Sequence, residues 1–144
     1  MPPIFEIMQE DTVLLAGCVL LDDYDRILLL HRNLGDTGLW ELPGGKVEED
    51  EIPEVAAVRE MREELGVDVR LVRALGNEAF EHEGVTYMFY WYLGVIENGE
   101  PRAMEGLHDD AEYVEVEDLP SMALSAGMEV LHHKLLSGEV TLEQ

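Results

Sequence analysis

The sequence predicts an α+β fold in which helices cover a mixed β-sheet. Several apolar stretches have the pattern of strands, and one long segment has the spacing and end signals of a helix. The elements follow the order β-β-loop-α-β-β-β-α, which fits a layered arrangement. The chain has 144 residues, 47% of them hydrophobic and 28% charged. We therefore expect a single domain with its own core, covering residues 1–144.

Strands and turns are predicted before the first helix. Residues 4–10 give a weak signal for an edge strand, and residues 12–21 form a nearly continuous apolar run typical of a buried strand. After an acidic turn at residues 22–25, residues 26–32 return as a strand, so we expect a hairpin. Leu42-Pro43-Gly44-Gly45 then predicts a tight turn whose backbone can be approached closely.

The clearest helix is predicted between Ile52 and Leu65. Pro53 suits the first turn of a helix, and Gly66 is a natural C-terminal cap. Because the side chain of Ile52 cannot cap the helix, Asp50 or Glu51 is expected to do so. Apolar side chains recur at helical spacing and are expected to face the core: Val55, Val58, Met61 and Leu65.

The second half of the chain is predicted to contain three strands and a closing helix. The strands are expected at residues 67–80, 85–96 and 112–117, with a loop at 97–110. The closing helix contains residues 130–136 and begins after Pro120 or Ser125. The strand at 85–96 is the most aromatic and is expected to be central. Tyr87, Phe89 and Trp91 share one face of it, but alternation does not decide which face lines a pocket.

The charge of the chain limits its partners. The formal net charge is −23, and Lys46 and Lys134 are the only lysines. Such a surface repels nucleic-acid polymers and anionic membranes, so neither is an expected partner. Without a signal peptide or a membrane-spanning apolar run, we expect a cytoplasmic protein. The single cysteine, Cys18, lies in an apolar run and is interpreted as a buried, inert thiol.

Three glutamates on the first helix indicate a bound cation. Glu60, Glu63 and Glu64 are spaced i, i+3 and i+4, which places them on one side of the helix, opposite the apolar face. Like charges at this spacing are destabilising, so their presence together favours a ligand. Oxygen ligands alone indicate Mg²⁺, with Mn²⁺ as the alternative. A solvated acidic face is the other interpretation.

The residues around these glutamates have a distinctive spacing. Gly45 is followed after five residues by Glu51, and after seven more by Arg59-Glu60-Met61-x-Glu63-Glu64-x-Gly66-Val67. This pattern resembles the complete Nudix box, a loop–helix–loop that binds Mg²⁺ and positions a diphosphate. The resemblance extends over essentially the whole chain and implies an α/β/α sandwich. One departure is Ile52, since family members often carry Ser or Thr at that position.

The resemblance also implies roles for individual residues. Arg59 and Glu51 are expected to pair and hold the loop against the helix. The sequence from Gly99 to Gly106 resembles the arrangement in MutT-type members and makes Glu105 a further metal ligand. An exposed acid without a role is the alternative. The implied metal ligands are Glu60, Glu63, Glu64, Glu105 and the carbonyl of Gly45. The residues assigned to catalysis are Glu51, Arg59, Glu63, Glu64 and Glu105, and the substitutes for Glu105 are Asp109, Asp110 and Glu112.

Substrate contacts are assigned to few residues. Arg32, preferred to Arg26, is a candidate for phosphate binding because cations are scarce. Gly44 and Gly45 are expected at the diphosphate. Ser125 stands where MutT proteins that favour oxidised guanine nucleotides carry Asn, which leaves that specificity in doubt. The histidines are not expected to have catalytic roles: His31 is interpreted as structural, His82 and His108 as exposed loop residues, and His132 and His133 as ordinary helix residues.

The predicted function is metal-dependent hydrolysis of a phosphoanhydride bond in a nucleotide, most simply a nucleoside triphosphate pyrophosphohydrolase of the MutT type. Three alternatives stay open among substrates: ADP-ribose, a nucleotide sugar or a diadenosine polyphosphate. A nucleotide sensor without catalysis is a further alternative, although such a domain is expected to lose a metal glutamate. The sequence leaves the choice between monomer and homodimer open.

Overall fold

The computed structural model describes residues 11–33 and 38–143. It contains seven strands, two α-helices and a 3₁₀ helix within those residues. The strands are β1 (Thr12–Leu20), β2 (Ile27–Arg32), β3 (Trp40–Glu41), β4 (Gly44–Lys46), β5 (Asp68–His82), β6 (Val85–Asn98) and β7 (His108–Val114). The helices are α1 (Pro53–Leu65) and α2 (Ala126–Ser137), and the 3₁₀ helix spans Val116–Ser121. The weak strand expected at residues 4–10 lies outside the described residues.

The strands form two sheets. The larger sheet has the order β4-β1-β6-β5, and the smaller sheet has the order β3-β2-β7. β1 and β6 run parallel, from the pair Thr12 and Thr86 to the pair Leu20 and Gly94, whereas the other pairings are antiparallel. The mixed sheet is therefore confirmed. The aromatic strand β6 lies between β1 and β5, which confirms its central position.

The expected hairpin of β1 and β2 is wrong. The two strands belong to different sheets and meet only at the isolated bridge between Leu21 and Ile27. β6 pairs along one edge of β1 from Thr12 to Leu20, and β4 pairs along the other edge from Leu15 to Gly17, whereas β2 pairs with β3 and β7. The turn itself is stabilised locally, because the Asp22 carboxylate accepts hydrogen bonds from the backbone and the Nε of Arg26, at 2.9 and 2.7 Å.

Two hydrophobic cores lie between the sheets and the helices. Successive residues of β1 point to opposite sides, so Cys18 and Leu20 pack in the core under α1 while Val19 packs in the core under α2. Phe89 and Trp91 belong to the α2 core, and Tyr92 belongs to the α1 core. Helices thus cover both faces, as an α/β/α sandwich requires. Burial raises the pKa of the Cys18 thiol to about 12, as expected of an inert cysteine.

Helix α1 has the expected ends but a different inward face. Pro53 is its first residue, and Gly66 caps its C-terminus with φ of 71°. Ile52 occupies the N-cap position without a side-chain cap, so the expected capping by Asp50 or Glu51 is wrong. Val55 is 53% exposed, which contradicts its expected place in the core. The buried residues are Ala56, Ala57, Met61, Glu64 and Leu65. The two alanines let the helix approach the sheet closely and turn Glu64 inward.

The last elements differ slightly from the expected boundaries. β7 begins at His108, four residues before the expected start at Glu112, and shortens the preceding loop. Helix α2 begins at Ala126, with Ser125 as its N-cap. The Ser125 hydroxyl accepts a hydrogen bond from the Met128 amide at 3.2 Å, which is the usual role of a serine at this position. No helix within the described residues is long and apolar enough to cross a membrane.

The charge of the chain predicts that salt stabilises the fold. Raising KCl from about 0.1 M to about 1 M shortens the Debye length from roughly 10 Å to roughly 3 Å and screens repulsion among the acids. We expect the unfolding midpoint in a thermal melt to rise by about 5 °C or more. The increment should shrink near pH 4.2, the isoelectric point. An increment of the same size at pH 4.2 and at pH 7 would show that charge repulsion is not its cause.

Candidate active site

A cavity of about 470 Å³ opens between the start of α2, the loop before α1 and the strands β5 and β6. Its wall contains the carboxylates of Glu41, Glu60, Glu63, Glu64 and Glu105, the cations Arg32 and Lys46, and the rings of Phe80, His82, Tyr87 and Phe89. Gly44, Gly45, Ser125, Ala126 and Gly127 contribute small residues to the same wall. Every residue assigned from the sequence to metal or substrate binding therefore lies at one cavity.

The glycines before α1 allow close backbone packing. A Cβ on Gly44 would lie 2.6 Å from the carbonyl oxygen of Ala16, and a Cβ on Gly45 would lie 2.5 Å from the carboxylate of Glu60. A side chain at Gly44 would clash with backbone atoms, and one at Gly45 would displace the end of the Glu60 side chain. The Gly44 amide donates a hydrogen bond to Glu64 Oε1 at 2.6 Å. The loop and the helix are thereby joined through the buried carboxylate of Glu64.

Three carboxylates converge at the acidic end of the cavity. One oxygen each from Glu60, Glu64 and Glu105 lie within 4.8 Å of one another. Burial raises the pKa of Glu64 well above its usual range, the Gly44 amide opposes this, and the charges of Glu60 and Glu105 add to it. Burial also raises the pKa of Glu60. Repulsion of this kind is relieved by a cation, and carboxylate oxygens are the donors that hard divalent ions prefer. The residues present fit such an ion.

Backbone contacts bring Glu105 to this cluster. The Met104 amide donates to the carbonyl of Glu64 at 2.9 Å, and the Arg102 amide donates to the carbonyl of Leu65 at 3.2 Å. The loop after β6 is therefore fastened to the last turn of α1, directly beside Glu64. The three substitutes considered for Glu105 are not in the cluster, and one of them, Asp109, pairs with His31 at 2.7 Å.

Glu63 lies apart from the three converging carboxylates. Its side chain is 48% exposed, and its Oε2 accepts a hydrogen bond from Arg59 Nη1 at 2.9 Å. It lines the cavity but is not a member of the group whose oxygens meet within 4.8 Å. Its assignment as a metal ligand stays a prediction.

Arg59 connects the loop to the helix. Its Nε and Nη2 donate to the two carboxylate oxygens of Glu51, at 2.6 and 2.9 Å, in a bidentate pair. Nη2 also donates to the carbonyl of Lys46 at 2.9 Å, and Nη1 donates to Glu60 Oε1 at 3.0 Å. The Arg59 pair lowers the pKa of Glu51 to about 2. One guanidinium thus holds the loop and orients a carboxylate of the cluster.

Glu41 and His108 are site residues that the sequence interpretation missed. His108 is buried, with 5% of its surface exposed, so its assignment as an exposed loop residue is wrong. Its Nε2 lies 2.6 Å from Glu41 Oε2, and Arg32 Nη1 donates to the same oxygen at 2.9 Å. Burial would raise the pKa of Glu41, but the hydrogen bonds from His108 and Arg32 outweigh it and lower that pKa. The available signal was a charged residue between apolar Trp40 and Leu42.

The other end of the cavity is aromatic. The rings of Phe80 and Tyr87 stack with centroids 5.3 Å apart and an interplanar angle of 17°. Gly127 brings the start of α2 against Phe89, since a Cβ there would lie 3.0 Å from that ring. The Ser125 amide donates to the carbonyl of Trp40 at 2.9 Å and fixes the helix start beside the cavity. This end offers flat apolar surface, and Ser125 and Tyr87 carry hydroxyls there.

Comparison with known proteins agrees with this site. The family model of the NUDIX domain matches residues 12–135. An 8-oxo-dGTP diphosphatase of Proteus vulgaris is 34% identical over 88 residues, which are 58% of this chain and 79% of that protein. An 8-oxo-dGTP diphosphatase of Haemophilus influenzae is 29% identical over 132 residues, which are 90% of this chain and 96% of that protein.

A solved structure adds to this comparison. The MutT NUDIX hydrolase from Burkholderia pseudomallei is 32% identical and superposes with a TM-score of 0.74, covering 86% of this chain and 98% of its own. The resemblance inferred from the box is therefore confirmed along with the fold. Because the family model spans most of the chain and carries the glutamates of the cavity with it, this protein belongs to the Nudix hydrolases, enzymes that act on phosphoanhydride bonds.

Proposed function

We propose that the protein is a nucleoside triphosphate pyrophosphohydrolase of the MutT type, which cleaves a nucleoside triphosphate to the monophosphate and pyrophosphate. The observation that carries this proposal is the two-ended cavity. Converging carboxylates at one end suit a metal–polyphosphate complex, and stacked aromatic rings at the other suit a base. Two relatives described as 8-oxo-dGTP diphosphatases support the same substrate class.

Mg²⁺ is the proposed ion, with Mn²⁺ as the alternative. Glu60, Glu64 and Glu105 would hold it, and the carbonyl of Gly45 could add a ligand. When bound, such an ion neutralises phosphate charge and makes water more acidic. In a cavity with five carboxylates and two cationic side chains, such neutralisation would offset the repulsion between the carboxylates and a polyphosphate.

Residues of the cavity would prepare the reaction in two ways: they orient the metal-binding carboxylates, and one of them receives a proton from the attacking water. Gly44 orients Glu64 through its amide, and Arg59 orients Glu60. Because Gly44 and Gly45 have no side chains, phosphate oxygens can approach their backbone closely. The attacking water must lose a proton as the anhydride bond breaks and pyrophosphate leaves. Glu105, the most exposed of the three converging carboxylates, is the proposed acceptor, and a carboxylate of the helix is the alternative.

The base is proposed to lie against Phe80 and Tyr87, near Ser125. Because Ser125 Oγ accepts from the Met128 amide, its hydroxyl hydrogen can be donated to a base. The Ser125 hydroxyl has one O–H donor, and its oxygen already accepts from the Met128 amide, whereas the side chain of an Asn carries two N–H donors and a carbonyl acceptor. We therefore do not assign a preference for oxidised guanine. Cytoplasmic location stays a prediction from the sequence, and the sequence makes no choice between monomer and homodimer.

A substrate screen with Mg²⁺ or Mn²⁺ tests this function. It should cover dGTP, 8-oxo-dGTP, CTP, ADP-ribose, nucleotide sugars and diadenosine polyphosphates, with separate detection of phosphate, pyrophosphate and AMP. Pyrophosphate release from a triphosphate supports the proposal. AMP release from ADP-ribose or a sugar nucleotide would favour the alternative hydrolases. Nucleotide binding without any turnover would make the protein a sensor and overturn the proposal.

Gly45→Ala is expected to lower activity by about tenfold or more with little loss of stability. The new Cβ would lie 2.5 Å from the Glu60 carboxylate, which must move away from the converging cluster. The end of a flexible side chain moves cheaply, so the thermal midpoint should change little, while a displaced ligand costs roughly 10- to 100-fold in activity.

Gly106→Ala is the matched control for this substitution. A Cβ at Gly106 meets no atom within 4 Å, so neither activity nor the thermal midpoint should change. Steady-state kinetics with saturating Mg²⁺ and a thermal melt check both variants. Equal activity of the two variants would show that the position of Glu60 does not depend on the space at Gly45.

A further inference from the structure

Three strands of the smaller sheet bring one residue each to a single carboxylate oxygen. Arg32 comes from the end of β2, Glu41 from β3 and His108 from the start of β7. Both Arg32 Nη1 and His108 Nε2 bond to Oε2 of Glu41, at 2.9 and 2.6 Å. A register shift between His31 and Arg32 places Arg32 opposite His108 in the strand pairing. The arrangement is built by the fold and is not a chance surface contact.

The cavity has few cationic side chains, so the position of Arg32 matters for binding an anionic substrate. Arg32 and Lys46 are the cationic side chains of a wall that also carries five carboxylates. A substrate with several phosphate charges depends on where these cations are held. Arginine has a long, flexible side chain, and holding its guanidinium in place beforehand reduces the entropy lost when it binds an anion. Without Arg32 and His108 bonded to it, the Glu41 carboxylate would repel the phosphates of the substrate.

Burial separates this contact from an ordinary surface ion pair. The side chain of His108 is 1% exposed, and that of Glu41 is 19% exposed. Hydrogen bonds to a charged group in such a place are short and strong. Arg32 itself is 30% exposed and lines the cavity. The buried pair is therefore a rigid support, and the half-exposed arginine is the part that a ligand can reach.

We propose that Glu41 and His108 are positioning residues that fix Arg32 for contact with the phosphates of the nucleotide. Glu41 accepts from Arg32, and His108 donates to Glu41 and holds that carboxylate in place. Neither positioning residue needs to touch the substrate. This inference rests on the proposed function, since it assigns a role within substrate binding at the same cavity.

The chain offers a matched control for this pair. His31 and Asp109 lie on β2 and β7, the strands that also carry Arg32 and His108, and His31 Nδ1 is 2.7 Å from Asp109 Oδ1. The pair has the same chemistry but is 28% and 48% exposed and does not line the cavity. If a histidine–carboxylate contact merely fastens β7 to the smaller sheet, removing either pair should have similar consequences.

A double-mutant cycle between Arg32→Ala and His108→Ala tests the proposal, with His108→Gln and His31→Gln as further variants. For each variant, KM and kcat for dGTP, the Kd for the non-hydrolysable α,β-methylene analogue of dGTP with Mg²⁺, and the thermal midpoint are measured. His108→Ala should raise KM and Kd roughly 10- to 100-fold, with a smaller change in kcat. The double variant should be no weaker than Arg32→Ala alone, because His108 acts through Arg32.

Two further results are expected. His108→Gln should restore most of the affinity, since an amide nitrogen near the position of Nε2 can donate to Glu41. His31→Gln should leave KM, kcat and Kd unchanged. Effects of Arg32→Ala and His108→Ala that multiply in the double variant would overturn the proposal. A lower thermal midpoint of His108→Ala with unchanged KM and Kd would also overturn it and leave a purely structural role.

Failure of the proposed function gives a different result. In that case, the unsubstituted protein cleaves none of the nucleotides tested. If that protein still binds the methylene analogue, the same double-mutant cycle, measured only through the Kd for the analogue, tests the positioning role by itself. If it neither cleaves nor binds a nucleotide, both proposals are wrong.

Discussion

Glu64→Gln is expected to reduce turnover by about 10³-fold or more while the protein stays folded, because interactions worth several kcal/mol are lost with a metal ligand. Glu64 lies in the group of three converging carboxylates and is 5% exposed. The glutamine oxygen can still accept the hydrogen bond of the Gly44 amide, so the loop keeps its contact with the helix. Removing a buried charge also removes a desolvation cost, and the thermal midpoint without metal should not fall.

Glu54→Gln is the matched control on the same helix. Glu54 also accepts a 2.6 Å hydrogen bond, from the hydroxyl of Tyr92, and glutamine can accept it as well. Glu54 does not line the cavity, so its substitution should leave kcat unchanged. Kinetics over a range of Mg²⁺ concentrations and a thermal melt without metal compare the two variants. Near-full activity of Glu64→Gln would refute the assignment of this residue to the metal.

The loop and helix of the box could be predicted because their signals are local. Pro53 and Gly66 mark the two ends of α1 in the sequence, and the structure has the helix between them. The pairing of the strands could not be predicted in the same way. β1 pairs with β6, which is distant in sequence, and with β4, while β2 joins the other sheet instead of forming the hairpin that the nearby turn suggested. Local turn signals identify a change of direction but not the partner of a strand.

The orientation of α1 shows a second limit. A pattern of large apolar residues assigned Val55 to the core, yet Ala56 and Ala57 are fully buried and Val55 is exposed. Small residues at a close helix–sheet contact carry little hydrophobic signal, although they decide which face turns inward. The same rotation buries Glu64 and leaves Glu63 exposed. Two neighbouring glutamates of the box therefore have different surroundings, which the spacing alone does not reveal.

Glu41 and His108 show why part of the site was missed. They are 67 residues apart, and neither is marked by a local motif. His108 was assigned to a loop because its strand starts earlier than the acidic sequence suggested. Its burial results from pairing of β7 with β2, and that contact exists only in the folded sheet. Residues that act through partners distant in sequence have no spacing that can be recognised beforehand.

Arg59→Ala is expected to lower kcat about 10- to 100-fold, the usual cost of losing a partner that orients a metal ligand. The substitution removes the bidentate contact with Glu51, the hydrogen bond to the Lys46 carbonyl and the one to Glu60. Glu60 then loses its fixed position, and the loop is freed from the helix. Kinetics at several Mg²⁺ concentrations should show weaker apparent metal affinity. Arg62→Ala is the matched control, since Arg62 is exposed on the same helix and pairs with Asp68 at 2.9 Å.

The pH dependence of stability distinguishes the Arg59 contact from a general effect of removing charge. Hydrogen bonds from Arg59 and, to a smaller extent, from the Glu48 amide lower the pKa of Glu51 from 4.5 to about 2. Because the folded-state pKa is depressed, the stabilisation is present above about pH 4.5 and is lost as pH falls toward about 2. The difference in thermal midpoint between the unsubstituted protein and Arg59→Ala, measured without metal, should therefore shrink from about pH 5 to about pH 2. A difference that stays constant over that interval would contradict the pairing of Arg59 with an ionised Glu51 as the source of the stabilisation.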